Sequence, residues 1–151
     1  MENQAVEILE KQERRLEHYP ELRAKVSQHL QESRRQAERV ERCLHDLGTD
    51  TSTLKTAAGK MVGTAQQLSG LFASDEVLKG GIADYAFEHY EIASYRMLIS
   101  AAEDAGEPQV KQALEENLRE EEAMAGWLAQ HLPELTRQYL RREAAGQYAK
   151  V

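Results

Sequence analysis

The strongest indication of the fold is a set of apolar and small residues with helical spacing between Pro20 and Gly48. They recur at alternating intervals of four and three: Val26, Leu30, Ser33, Ala37, Val40, Leu44 and Leu47. This alternation places all of them on one face of an α-helix. Pro20 suits the first turn, where its missing N–H has no partner to lose, and Gly48 suits the position after the last turn. The pattern predicts an amphipathic helix over residues 20–47.

The rest of the chain also has helical periodicity, and proline and glycine fall mostly between the periodic segments. We predict three further long helices: residues 2–18, 75–104 and 108–145. Pro133 is expected to bend or break the last of them, and a short helix is expected at about 52–68. Four long helices with two short links and one long crossover predict an all-α four-helix bundle of ferritin-like topology, as a single domain over residues 1–151. The apolar residues 97–99 are assigned to the core.

Composition narrows the class of protein further. The 151 residues include 19 Lys and Arg against 26 Asp and Glu, a formal charge of −7. Since phosphate contacts need clustered basic side chains, nucleic acid is not expected as a partner. The longest nearly apolar run, residues 123–129, is far shorter than the roughly 20 residues of a membrane span, so no membrane partner is expected. A single cysteine, Cys43, excludes an internal disulfide framework and favours a cytoplasmic location.

The informative residues are acidic side chains on helix faces that should be apolar. Glu121 lies between Leu118 and Ala125 on the apolar stripe of the last helix, and the other long helices also present inward polar side chains. The full set is Glu2, His29, Glu32, Glu88, Glu91 and Glu121. Several carboxylates in a dry core repel one another and take up protons unless cations neutralise them. Two divalent metals held by Glu and His from four helices solve this problem.

A second interpretation stays open on spacing alone. Glutamate is so abundant in this chain that the pair His29 and Glu32 can arise by chance, and Glu88 and Glu91 can form a solvated helix face. No Glu-x-x-His pair, the usual di-iron signature, is present in the sequence. On this interpretation the chain is a non-catalytic structural or interaction module with the same bundle fold.

Three sequence segments carry a resemblance to a known family. They are Glu-Asn-Gln-Ala at residues 2–5, Tyr-Pro-Glu-Leu with Gln-His-Leu-Gln-Glu-Ser and Gln-Ala-Glu-Arg within 19–39, and Phe-Glu-His-Tyr-Glu-Ile-Ala-Ser-Tyr at 87–95. Over nearly its whole length the chain resembles the YciE/YciF family of bacterial ferritin-like proteins. The resemblance implies a ferritin-like bundle, commonly a homodimer, with a di-metal centre and expression under stress.

The resemblance also implies which residues hold the metals. The positions that match the family's ligands are Glu2, His29, Glu32, Glu88, Glu91 and, from the acidic run 120–122, Glu121. Five Glu and one His make an oxygen-rich set that suits two iron ions per chain, or manganese. An enzyme of this kind would act with dioxygen or peroxide, as in a ferroxidase-like detoxification, although no catalytic residue is assigned. From its spacing, Tyr95, one turn beyond Glu91, is expected to pack with its hydroxyl on a polar neighbour, and a position beside the metals is the alternative.

Three departures from the family pattern bear on these expectations. The first helix has fewer residues before Glu2 than is usual in the family, which would expose the site or leave this ligand mobile. Gly126 stands where relatives often have aspartate, so an acceptor near the metals is missing, and the order His-x-x-Glu is the reverse of that in ordinary di-iron proteins.

A further alternative is an oligomeric scaffold that binds a protein partner through Trp127 and residues 49–74.

Overall fold

The computed structural model describes residues 1–48 and 77–149, and every regular element within them is an α-helix. The helices are α1 (Glu2–Arg15), α2 (Pro20–Asp46), α3 (Val77–Asp104) and α4 (Pro108–Ala144). The prediction of an all-α bundle is confirmed. The short helix predicted at 52–68 and the predicted start of the third helix near residue 75 lie outside the described residues. None of the four described helices has the length and hydropathy of a membrane span.

The helix ends follow from a few local signals. Proline begins both α2 and α4, as the sequence predicted. α1 ends at Arg15 rather than near residue 18, because the backbone of Leu16 leaves the helix and its side chain turns into the core. After α3, Gly106 takes a φ of 71°, a conformation that glycine adopts without strain, and its N–H donates to the carbonyl of Glu103 at 3.0 Å.

Pro133 lies inside α4 and does not interrupt it, so the expected break is not found. Proline cannot donate to the carbonyl four residues before it, and the helix therefore lacks one hydrogen bond at this point. The apolar side chains on either side, Leu128 and Leu135, are buried at 1% and 7% exposure. Their packing holds the helical path across the proline, because tertiary contacts supply most of the stability of helices in proteins.

The interior of the bundle has a polar layer between two apolar clusters. α1 packs against α2, α3 packs against α4, and α2 packs against α4. One cluster includes Val26, Met124 and Leu128, and the other includes Leu98 and Leu114. Along α2, α3 and α4, where the first cluster gives way to the second, lie buried polar residues, among them His29, Ser33, Gln36, Glu88, Glu91, Asn117 and Glu121. Glu2, at the start of α1, is buried with them.

The apolar residues 97–99 of α3 divide between core and surface. Leu98 packs in the second apolar cluster, and Ile99 contacts that cluster from its edge. Met97 is 65% exposed, so its assignment to the core was wrong. Successive residues of a helix are about 100° apart around the axis, so three in a row do not face the same side.

Candidate metal centre

His29 on α2, Glu88 on α3 and Glu121 on α4 bring their polar atoms together in the polar layer. Nε2 of His29 lies 3.3 Å from Oε2 of Glu88 and 3.6 Å from Oε2 of Glu121. All three side chains are buried. One ligand atom from each lies within 4.8 Å of the other two, so a single metal ion can be reached by all three.

Glu2 on α1 and Glu91 on α3 form a second group with Glu121. Their carboxylate oxygens also lie within 4.8 Å of one another, and all three residues are buried. Glu121 therefore belongs to both groups, which is the position of a carboxylate shared between two ions. Together the two groups take side chains from all four helices, the arrangement by which helical bundles hold two metals.

Seven buried polar atoms of this cluster have no hydrogen-bond partner among the described residues. They are Oε2 of Glu2, Nε2 of His29, Oε2 of Glu88 and both carboxylate oxygens of Glu91 and Glu121. Each unpaired buried polar group costs about 1–3 kcal/mol, and a charged group costs more. Native structures have only a few such atoms in a whole domain. Since the set consists of carboxylate oxygens and one imidazole nitrogen, it fits hard divalent cations such as iron or manganese.

Burial perturbs the protonation of the acids in this cluster. Burial raises the pKa of Glu91 and of Glu121 well above the usual carboxylate range, and the neighbouring carboxylates raise both further. Burial also raises the pKa of Glu2 to about 7, although a hydrogen bond from Tyr95 opposes the shift. Acids that are held protonated in this way release their protons when a metal binds.

His29 provides the positive charge of the cluster. Burial lowers its pKa, but the charge of Glu88 and the hydrogen bond with Glu32 outweigh burial and raise the pKa well above its ordinary value. Burial raises the pKa of Glu88, yet the attraction of His29 outweighs it and the pKa is lowered. A divalent cation can replace this proton as the counter-charge, and neutral His29 is then able to ligate through Nε2.

Glu32, the sixth predicted ligand, lies on the other side of the His29 ring. Its Oε2 is 3.2 Å from Nδ1 of His29, and its side chain is 14% exposed. Glu32 is not among the residues whose ligand atoms converge. A carboxylate on Nδ1 fixes the tautomer and the ring orientation of a histidine that uses Nε2 for a metal. The structure thus brings five of the six predicted ligands together and places Glu32 next to Nδ1 of His29.

Tyr95 packs beside the cluster with its hydroxyl on a polar neighbour, as the sequence predicted. It is completely buried, and its hydroxyl donates a hydrogen bond to Oε1 of Glu2 at 2.5 Å. Asn117, which sequence reasoning missed, is also completely buried and donates from Nδ2 to the Tyr95 hydroxyl oxygen at 2.9 Å. Its spacing was an available signal, because it lies three residues after Leu114 and four before Glu121 on α4.

A further buried carboxylate, Asp84, extends the polar layer. It lies one turn before Glu88 on α3, is 2% exposed and accepts a hydrogen bond from Nε2 of Gln12 at 2.5 Å. Burial raises the pKa of Asp84 to about 7, although the bond from Gln12 opposes the shift. This residue shares the inward face of α3 with the two glutamates, which explains why it is buried.

The sequence matches the family described as a domain of unknown function, DUF892, over residues 1–141. This match covers more than nine-tenths of the described helical residues and all of the candidate ligands. The chain belongs to the DUF892 family. A solved structure of a protein from Xanthomonas campestris pv. campestris is similar to this DUF892 chain at 38% identity and a TM-score of 0.76, over 95% of this chain and 89% of that one.

Two other solved structures are similar to this DUF892 chain. YcfI from Rhodopseudomonas palustris is 28% identical, with a TM-score of 0.61 over 85% of this chain and 83% of that one. The E. coli stress protein YciF is 26% identical, with a TM-score of 0.66 over 87% of this chain and 84% of that one. These similarities confirm the predicted YciF-like family and the ferritin-like bundle.

Proposed function

We propose that the chain is a di-metal carboxylate protein that holds two iron ions, or two manganese ions, in its polar layer. The proposed ligands are Glu2, His29, Glu88, Glu91 and Glu121. Glu121 is shared between the two positions, and Glu32 orients His29 rather than ligating. The observation that carries this proposal is a group of seven buried polar atoms that have no hydrogen-bond partner among the described residues, come from all four helices and lie close together.

Bound iron would supply the electrons for reducing dioxygen or peroxide, a ferroxidase-like or peroxide-detoxifying chemistry. The protein's own contribution is binding and orientation. Glu32 holds the His29 ring through Nδ1, and Tyr95 holds Glu2 through its hydroxyl. The apolar clusters on both sides of the polar layer exclude water from it, which strengthens every charge interaction inside.

Metal content is the decisive measurement. The metal-free chain is loaded with Fe(II) under anaerobic conditions, freed of unbound metal and analysed for iron per chain; oxygen or peroxide is then added and its consumption is followed. We expect two ions per chain and consumption that depends on bound iron, and a parallel loading with Mn(II) tests the other metal. Only trace metal after loading contradicts the proposal and favours the non-catalytic module.

We also propose that the chain is a single domain over residues 1–151 that works as a cytoplasmic homodimer in a stress response. The dimer and the stress role follow from the resemblance to the YciE/YciF family, and the location follows from the single Cys43. Ile82 and Met97 on α3 are each 65% exposed and are apolar positions suited to a subunit contact. Sedimentation of the metal-loaded sample at twice the 17.1 kDa chain mass is expected, and the mass of one chain contradicts the dimer.

A further inference from the structure

A line of hydrogen bonds leads from the candidate metal centre to the side of the bundle. The hydroxyl of Tyr95 donates to Oε1 of Glu2 at 2.5 Å, and Nδ2 of Asn117 donates to the Tyr95 oxygen at 2.9 Å. Nη1 of Arg39 donates to Oδ1 of Asn117 at 2.6 Å. Tyr95 and Asn117 are completely buried, and the Arg39 side chain is 12% exposed. The line joins α1, α3, α4 and α2 in turn.

The chemistry of the four groups fixes the direction of every bond in this line. Arginine has only donors, so the amide atom of Asn117 that faces Arg39 is the oxygen, and the amide nitrogen faces Tyr95. The nitrogen only donates, so the Tyr95 oxygen accepts this bond. The single hydroxyl proton of Tyr95 is therefore left for Glu2. Each bond polarises the next, which strengthens the donation that Glu2 receives.

The outer end of the line is held in place by acids on α4. Arg39 makes bonds of 2.8 and 3.1 Å to the two carboxylate oxygens of Glu120 and lies 2.7 Å from Oε1 of Glu116. Gln36 adds a bond of 3.0 Å to the same carboxylate of Glu120. A guanidinium in this planar, two-bond arrangement has a defined orientation. Arg39 can therefore orient the Asn117 amide, which a single mobile lysine would not do.

Glu2 needs such support because of its place in the fold. It lies in the first turn of α1, where no side chain caps the helix, and first turns fray easily. Its side chain is nevertheless 6% exposed, with Oε1 bound to Tyr95 and Oε2 unpaired among the described residues. Holding one oxygen restricts the whole carboxylate, which supplies one oxygen to the group with Glu91 and Glu121 within 4.8 Å.

We propose that Tyr95, Asn117 and Arg39 are positioning residues that hold Glu2 in place for one of the two metal positions. The inference rests on the proposed function, since it assigns these residues to a metal ligand. It also implies that different residues orient the ligands of the two metal positions. The His29 position is oriented by Glu32, and the Glu2 position is oriented by this longer line.

The test uses the full chain, Mn(II) as the probe, and electron paramagnetic resonance to count free Mn(II) during a titration. Tyr95→Phe removes the hydroxyl, and Asn117→Asp replaces the donor toward Tyr95 by an acceptor of the same shape. We expect both variants to bind one ion as the wild type does and the other about 10- to 100-fold more weakly. If Tyr95→Phe fails to fold, Asn117→Asp is the variant that decides the question.

Tyr19→Phe is the matched control. Tyr19 is also fully buried, and its hydroxyl donates a bond of the same 2.5 Å length to the carbonyl of Ala149, outside the metal centre. We expect this variant to bind both ions with wild-type affinity. Unchanged binding of both ions by Tyr95→Phe and Asn117→Asp overturns the positioning role and leaves the proposed function intact. Equal weakening by Tyr19→Phe also overturns it, because the effect is then a general loss of stability.

A second measurement needs no metal and separates the failure of this inference from the failure of the proposed function. In the metal-free chain, amide hydrogen exchange is compared at Gln4 and Ala5, whose N–H groups bond to the Met1 carbonyl at 2.9 and 3.1 Å. We expect faster exchange there in Tyr95→Phe than in Tyr19→Phe. If the wild type binds no metal, the proposed function fails, and this exchange still decides whether the line holds Glu2; equal rates overturn it.

Discussion

Glu121 and Glu122 are neighbours on α4 with opposite surroundings. Both carboxylate oxygens of Glu121 are buried and have no hydrogen-bond partner among the described residues, whereas Glu122 is exposed and lies 2.8 Å from Arg96. The rotation of about 100° between successive helical residues accounts for the contrast. At the scale of the residue, the apolar stripe of α4 therefore decides which member of the acidic run enters the polar layer.

We predict that Glu121→Gln has opposite effects with and without metal. In the metal-free chain at pH 8 the neutral amide no longer repels the other acids, and the free energy of unfolding rises by on the order of 1–2 kcal/mol. In the metal-loaded chain the shared ligand is lost, so metal content and melting temperature fall together. Thermal unfolding and elemental analysis, with and without a chelator, measure both effects.

Glu122→Gln is the control for this prediction. Its side chain is 44% exposed, and exposed ion pairs contribute little, so we expect a change within about 0.5 kcal/mol and no change in metal content. Equal metal content in Glu121→Gln and in the wild type would contradict the role given to Glu121.

At the scale of the element, two glycines inside helices have opposite surroundings. A Cβ at Gly81 on α3 would lie 2.9 Å from a Leu132 methyl carbon and 3.3 Å from one of Leu135, so this glycine allows α3 and α4 to approach closely. A Cβ at Gly126 on α4 would meet no atom within 4 Å. The helix therefore faces open space at Gly126.

We predict that Gly126→Ala stabilises the chain and that Gly81→Ala does not. Alanine at Gly126 improves helix propensity at no steric cost, so the free energy of unfolding rises by about 0.5–1 kcal/mol. At Gly81 the same gain is offset by the shift forced on the methyl groups of Leu132 and Leu135, so we expect no net rise in the free energy of unfolding. Urea unfolding of both variants in the metal-free state measures the difference. A stabilising Gly81→Ala would show that α3 and α4 are less closely packed.

At the scale of the whole molecule, the polar layer makes stability depend on protons and metal in opposite ways. The pKa values of Glu2, Asp84, Glu91, Glu121 and His29 are all raised. The folded metal-free chain therefore binds more protons than the unfolded chain across the range between the ordinary and the raised pKa values. Its stability is greatest at the acidic end of this range and falls as the pH rises.

We predict that the metal-free chain becomes less stable between about pH 5 and pH 8. Its free energy of unfolding falls by about 1.4 kcal/mol per pH unit for each extra proton that the folded chain binds, and its melting temperature falls with it. The metal-loaded chain should show the reverse, because protons compete with the metal for the same ligands. Below about pH 4.5 the metal-free chain also loses stability, since the lowered pKa of Glu88 and of Glu32 then matters. Calorimetry at several pH values measures the melting temperature with and without metal. We expect the two curves of melting temperature against pH to cross, and parallel curves would contradict the prediction.

The periodicity of the chain was enough to predict the long helices and the residues that face inward. Spacing of four and three, with Pro20 and Pro108 as starts, predicted the long helices, because the side chains of a helix repeat every 3.6 residues whatever surrounds them. The same periodicity, together with the resemblance, selected the acids that face the interior. It could not predict that Leu16 would turn into the core and end α1, or that buried neighbours would carry α4 through Pro133, since those outcomes depend on packing between helices.

The separate roles of the inward polar residues depend on how the helices pack against one another. Glu32 and Glu88 look equivalent as inward acids, but their positions around the His29 ring depend on how α2, α3 and α4 are rotated against one another. The line from Arg39 through Asn117 and Tyr95 likewise joins residues that are distant in sequence. Periodicity within one helix fixes a direction relative to that helix axis, whereas a hydrogen bond needs the distance between two axes, which packing alone sets.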